Sequence, residues 1–330
     1  MKYGRIPGID KSVSRILQGT SLQGPPDLLK QAAKKDYFLD LLDGCHEAGV
    51  TTFDTGHNYG GGRSERLLGE WMTSRGHREN VVILTKGAHH SSDRKRVTPF
   101  DIAADLHDSL ARLQTDYIDL YLLHRDDPSV SVGPIIDALN EHKDAGRIST
   151  FGASNWTHER IAEANAYADA NGLASFTVSS PNFTLAVESE PPWEDCISIS
   201  GDPGKGARTW YGQHEMPLFL WSSMAQSFFS GRFNRESFES YKDQIPESCL
   251  RAYCHEENFE RLARVEALAS EKGLTIAQIA LAFILNHPLD LYAIIGTFNR
   301  GECRANIGAL DIELTRAEME WLDLKRDSRQ

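Results

Sequence analysis

A parallel (β/α)8 barrel of the TIM type, with a short N-terminal hairpin and long late loops, is the fold the sequence predicts, on three observations. Short apolar, β-branched and aromatic runs alternate with longer segments of helical spacing along a chain of 330 residues. Eight such runs are present, the number a closed parallel sheet of this kind requires. Three of them stop at residues suited to moving protons: Thr51-Thr52-Phe53-Asp54, with Tyr59 lifted beyond it; Val81 to Lys86; and Tyr117 to His124. Polar residues at the carboxyl ends of successive strands are where such a barrel carries its chemistry. An open doubly wound sheet is the alternative, and it loses ground because no GxGxxG follows any predicted strand.

The elements follow in order. Residues 1–13 are short, polar and turn-rich, and fit a hairpin closing one end of the barrel. Ser14 to Thr20 reads as the first strand. After a Pro-rich turn, apolar positions 37, 38, 41, 42, 45 and 48 give a helix that Gly49 stops. Strand 51–55 then precedes helix 63–75, and strand 81–86 precedes helix 98–113, opened by Thr98-Pro99 as cap and first-turn proline. Strand 117–123 precedes helix 132–145, closed by Gly146, and strand 148–153 precedes helix 157–171, capped by Thr157 and closed by Gly172. Strand 176–180 opens a less regular part. Residues 185–204 read as a loop, a helix spans about 205–215, and strand 217–222 follows. Residues 228–255 form a second irregular insertion. Helices near 256–272 and 275–286 lead to the last strand, 291–295, then helices near 301–308 and 315–326. Long loops cluster late, where a barrel places substrate specificity. The whole chain, 1–330, is expected to be one domain, since barrels of this length are routinely single.

Composition narrows the function. A net charge of -12 disfavours nucleic acid and anionic membranes as partners. The five cysteines form no CxxC pair, which points to reduced thiols rather than a disulfide framework or a zinc site. The N-terminal Met-Lys-Tyr-Gly-Arg-Ile-Pro-Gly has no apolar leader core and no run reaches membrane-spanning length, so a cytoplasmic location is expected. Oligomeric state is not legible in the sequence.

Asp54, Tyr59, Lys86 and His124 together suit reversible carbonyl reduction. A tyrosine holds its proton at neutral pH, a neighbouring ammonium favours the phenolate, and an aspartate keeps that lysine charged and placed. A histidine near the same substrate oxygen orients the carbonyl or relays the proton. Taken singly, each has a plainer reading. Asp54 caps a loop, Lys86 is a solvated strand end, His124 is a satisfied loop histidine, and Tyr59 packs over Gly60-Gly61-Gly62. Four such coincidences at successive strand ends favour the chemical reading. Other motifs fail. His124-Arg125-Asp126 imitates a kinase catalytic loop but lacks its asparagine at Ser131, and Gly204-Lys205-Gly206 lacks the remaining P-loop residues. His89-His90 has no metal-ligand partners at a recognised spacing, so no metal is expected.

The stretches FDTGHNYGGGRSERLLGE, YIDLYLLHRDDP and GRISTFGASNW resemble the aldo-keto reductase family, and the likeness runs over nearly the whole chain. The resemblance implies a barrel enzyme that interconverts an aldehyde or ketone with its alcohol by direct hydride transfer from NADPH or NADH. Asp54, Tyr59, Lys86 and His124 would be its catalytic tetrad, with Tyr59 the general acid. It further implies that Ser154 and Asn155 bond the nicotinamide carboxamide, that Trp221 stacks on its ring, and that Gly19, Thr20 and Ser222 approach the cofactor. Gly296, Thr297 and Asn306 would bind its adenosine part. Ser180 stands where a glutamine is common, Glu302 where many members carry an arginine for the 2′-phosphate, and Gly296 where a lysine is common. Glu302 can instead bond a ribose hydroxyl, with Arg300 and Arg304 near enough to compensate, which leaves NADPH and NADH both open. The implied partner is a small carbonyl or polyol. A pocket with His57, Asn58, His89 and Arg125 would suit a sugar-derived one. Related barrels also serve as channel subunits, so a nicotinamide-binding regulatory barrel with little turnover is the second expectation.

Overall fold

The computed structural model describes residues 1–329. The chain opens with an antiparallel hairpin, β1 (Tyr3–Ile6) and β2 (Ile9–Ser14). Its turn, Ile6-Pro7-Gly8-Ile9, puts proline where φ must be near -60° and Gly8 at φ +84°, the left-handed position that glycine occupies without a Cβ clash. Eight parallel strands then close a barrel: β3 (Ile16–Gly19), β4 (Thr52–Asp54), β5 (Val82–Gly87), β6 (Ile118–Leu123), β7 (Ile148–Ser154), β8 (Val178–Ser180), β9 (Leu218–Leu220) and β10 (Leu291–Ile295). They pair in chain order and β10 returns to β3. The helices between them are α1 (Pro26–Ala32), α2 (Lys35–Glu47), α3 (Arg63–Arg75), α4 (Pro99–Leu113), α5 (Val132–Asp144), α6 (His158–Asn171) and α7 (Lys205–Gln213). Then come α8 (Phe238–Tyr241), α9 (Glu247–Tyr253), α10 (Glu256–Lys272), α11 (Ile276–Leu285), α12 (Arg300–Ile307) and α13 (Arg316–Leu322).

The period of two along a strand decides what each residue faces. Leu17, Val82, Leu84, Leu120, Leu122, Val178, Phe219, Tyr292 and Ile294 pack together inside the barrel, and the hairpin's Ile6, Ile9 and Val13 plug the same cluster from below. Lys11 fastens that plug. Its ammonium donates to Asp119 Oδ1 at 2.9 Å, to the Tyr117 hydroxyl at 3.0 Å and to the Val81 carbonyl at 2.9 Å. The outer core, with Trp71, Phe151, Trp156 and Phe228 fully buried, lies between strands and helices. Adding two to an inward residue near the top of a strand gives the next inward layer. Leu17 leads to Gly19, Thr52 to Asp54, Leu84 to Lys86, Leu122 to His124, Gly152 to Ser154, Val178 to Ser180, Phe219 to Trp221 and Ile294 to Gly296.

Helix boundaries follow local chemistry. Thr98 accepts from the Asp101 N–H and Thr157 from the Arg160 N–H, while Gly172 ends α6 at φ +67°. Three details differ from the sequence reading. Ser14 pairs with Tyr3 in the hairpin, so the first barrel strand is only Ile16–Gly19. The Pro-rich turn continues into α1, because Pro26 occupies the first helical position, where its fixed φ suits a helix. The second insertion contains α8 and α9, helices too short for a sustained apolar period. Residues 185–204 carry no helix and are held by their neighbours: Val187 N–H donates to Asn258 Oδ1 at 3.0 Å and Ser189 N–H to the Ala252 carbonyl at 2.9 Å.

His287 lies after α11 with its Nδ1 buried and unpartnered, and burial, aided by the Arg208 and Lys325 charges, pushes it down to about 4. Because its folded pKa lies below the ordinary value of 6.5, the unfolded chain takes up the proton first. The stability contributed by neutral His287 is therefore complete above pH 6.5 and is lost as pH falls toward 4. Thermal denaturation between pH 7 and pH 4 should show this decline, with a shallower slope in His287→Gln.

Candidate active site

The inward top layer of the barrel brings the four expected residues together. Lys86, 1% exposed at the end of β5, forms a buried ion pair with Asp54 at the end of β4. Its ammonium also donates to the Thr55 carbonyl at 3.2 Å and to the Tyr59 hydroxyl at 3.3 Å, so its three N–H groups are all directed. The His124 ring stands edge-on to Tyr59 with centroids 5.6 Å apart. Burial pulls the Lys86 ammonium down, but Asp54 and then Tyr59 more than offset it, and the group is held above its usual range. Tyr59 is raised above 10, because burial, with Asp54 adding to it, outweighs the lowering by Lys86. The expected net lowering of the phenol by its ammonium neighbour is thus overturned by desolvation. His124 is pushed well below 6.5 by burial and then by the Lys86 and Arg125 charges, and is a neutral imidazole at ordinary pH.

Tyr59 reaches the site on a loop held by main-chain bonds. His57 N–H donates to the Lys86 carbonyl at 2.8 Å, and Gly60, Gly61 and Gly62 all take positive φ to turn the chain into α3. A side-chain clamp supports the turn. Arg112 on α4 donates to the His57 carbonyl at 2.8 Å and to Glu65 Oε2 at 3.2 Å, while Thr85 donates to Glu65 Oε1 at 2.7 Å. Glu65 is fully buried. Nothing in the sequence marks this clamp, since an acidic residue in the first turn of a helix is ordinary.

A pocket partly open to solvent lies above the tetrad. Gly19, Ser154, Asn155, Trp221, Ser222 and Gly296 line it, together with all four tetrad residues. The other expected cofactor residues stand behind this wall. The Ser180 carbonyl accepts from Ser154 Oγ at 2.8 Å, and Thr297 Oγ1 donates to Gln18 Oε1 at 2.6 Å in the core. Thr20 and Asn306 are buried away from the lining. Glu302 accepts from the Phe298 N–H at 2.8 Å and pairs with Arg232 at 2.8 Å. Arg300 is turned to Asp40 and Glu47, so it is not free to compensate near Glu302.

Two features suit the pocket to an anionic, aromatic cofactor. Ser222, Ala225, Gln226 and Ser227 have φ between +49° and +77°, which folds the loop after β9 into a concave main-chain cradle. Among the described residues, the N–H groups of Ser223, Met224, Gln226 and Ser227 have no hydrogen-bond partner. Trp221 Nε1, Gln226 Nε2 and Ser180 Oγ are likewise buried and unsatisfied. Such groups are costly unless a ligand meets them. Of the polar set expected for a hydroxylated substrate, Arg125 lines the pocket. His57 instead faces Asp108 at 3.2 Å and Asp105 at 3.6 Å on α4. Trp193 and Cys196 line the pocket from the first insertion, one of the late loops expected to shape the substrate site, and Gln226, which the sequence did not single out, lines it as well.

The sequence profile of the aldo/keto reductase family matches residues 16–327. The chain belongs to that family and is an oxidoreductase by class. It is 28% identical over 288 residues to a probable voltage-gated potassium channel subunit beta of Oryza sativa, covering 82% of this chain and 81% of the relative. It is 26% identical over 302 residues to norsolorinic acid reductase B of Dothistroma septosporum, covering 88% and 72%. Its fold matches a Klebsiella pneumoniae aldo-keto reductase crystallised with NADPH, with a TM-score of 0.71 at 23% identity over 100% of this chain and 97% of the other.

Arg112→Ala should leave Glu65 as an uncompensated buried charge and cost about 3–5 kcal/mol. Chemical denaturation checks this. Adding Glu65→Gln to Arg112→Ala should recover part of the loss.

Proposed function

We propose that the protein is a nicotinamide-dependent carbonyl reductase in which Tyr59 is the general acid. The observation that carries the reading is the contact of Lys86 with both Asp54 and the Tyr59 hydroxyl, at the floor of a pocket lined also by His124. The hydride for the carbonyl carbon would come from a reduced nicotinamide held by the residues of this pocket. The residues do the rest. Tyr59 gives its proton to the carbonyl oxygen, Lys86 stabilises the phenolate that remains, and neutral His124 orients the oxygen. In the reverse direction Tyr59 is the base. Ser154 and Asn155 suit the carboxamide, Trp221 offers a ring face, and the main-chain cradle at 222–227 suits a diphosphate.

NADPH is the cofactor we favour over NADH. Arg232 balances Glu302, which removes most of the repulsion that a 2′-phosphate would meet, and the Klebsiella structure holds NADPH. Quenching of tryptophan emission should saturate with both cofactors and at lower concentration with NADPH. No saturation with either would end the reading. Tyr59→Phe should lower kcat by about 10²–10⁴-fold while cofactor binding persists. Since Tyr59 is raised above 10 and His124 is neutral, reduction by the native protein should show no inflection near pH 6.5 and should fall only on the alkaline side.

A second reading, a cofactor-binding regulatory barrel, draws on the rice relative's name as a channel subunit. Tight cofactor binding with negligible turnover across aldehydes and ketones would favour it.

A further inference from the structure

One charge in the pocket has no counterpart on the protein. Arg125 directly follows His124 and is 6% exposed. Its Nη1 donates to the His124 carbonyl at 2.9 Å and its Nε to the Glu194 carbonyl at 3.3 Å. A guanidinium has five N–H groups, so these two bonds fix its plane and leave donors over. The nearest acids in sequence and at the insertion are engaged elsewhere: Asp126 pairs with Arg160 at 3.4 Å and Asp195 with Lys95 at 3.1 Å. Among the described residues no carboxylate pairs with Arg125. The only other charged residues lining the pocket are Asp54 and Lys86, which cancel one another. The pocket wall therefore carries a net charge of one, on a buried fork of donors.

A buried guanidinium without an opposite charge is a costly arrangement, and a bidentate carboxylate is the group that relieves it best. Beside Arg125, Trp193 stands with its ring centroid 5.8 Å from that of Trp221 at 52°, and with Cys196 it forms an apolar wall suited to a flat body. Resting on the carbonyl-reductase reading above, we propose that the substrate is an aldehyde or ketone that also carries a carboxylate, and that Arg125 binds this carboxylate and sets specificity.

The test compares 4-carboxybenzaldehyde with its neutral isostere 4-formylbenzamide, both reduced with NADPH. The native protein should favour the acid by about tenfold or more in kcat/KM, the scale of a charge-assisted hydrogen bond. Arg125→Met should bring that ratio close to one, and Arg125→Lys should restore part of it. A second measurement needs no turnover: calorimetry of 4-(hydroxymethyl)benzoate and 4-(hydroxymethyl)benzamide against the native protein should show the same preference. A native ratio at or below one in either assay overturns the proposal even if no variant folds, as does a preference that survives in Arg125→Met. If both aldehydes are reduced without preference, the carboxylate site falls and the reductase reading stands. If neither is reduced but the benzoate binds through Arg125, the reductase reading falls and the carboxylate site stands.

Discussion

The buried ion pair between Lys86 and Asp54 is the constraint around which the top of the barrel is built. An ammonium this deep is tolerated only with an opposite charge and with every N–H directed. Asp54, the Thr55 carbonyl and the Tyr59 hydroxyl meet those needs together. Losing either partner would strand a charge at a cost of about 3–5 kcal/mol. The pair also fixes register. Asp54 aligns with Leu84 on β5, two residues before Lys86, so a one-residue slip would turn the lysine out of the barrel. Because Tyr59 bonds the same ammonium, the proposed chemistry and the folding constraint share one set of atoms.

Much of this was legible in the sequence, because a strand's period of two is a rigid rule. Once Leu84 and Leu122 are inside, Lys86 and His124 must be inside one layer higher, and their polarity marks the open end. The same rule carries Gly19, Ser154, Trp221 and Gly296 to the pocket wall. Helix ends were readable where a Thr or Gly performs the cap, as at Thr98, Thr157 and Gly172. Rules that act over a few residues in chain order survive into the fold.

What was not legible depends on contacts between distant segments. Arg112 and Glu65 are 47 positions apart, and only the packing of α3 on α4 makes them a clamp beneath the Tyr59 turn. Residues 185–204 carry no periodic pattern, and their path is set by Asn155, Asn258 and the Ala252 carbonyl. His57 looked like a pocket residue by position, yet two aspartates draw it toward α4. Electrostatics was misjudged for a related reason. Lys86 does act on Tyr59 as expected, but desolvation, which depends on everything packed above the strand ends, is the larger effect.

Arg125 joins these two kinds of information. Its backbone position is fixed by β6, since it follows His124, whereas its guanidinium is held by both the His124 carbonyl and the Glu194 carbonyl of the insertion. The strand that presents His124 is therefore tied to the loop that supplies Trp193 and Cys196. The Arg125 charge reaches both sides: it helps to keep His124 neutral, opposes the rise in Tyr59, and faces the pocket. An anion bound against it would weaken all of these effects together. On the proposed reading, selection of a charged substrate and tuning of Tyr59 become one electrostatic problem, met where an insertion joins a strand end.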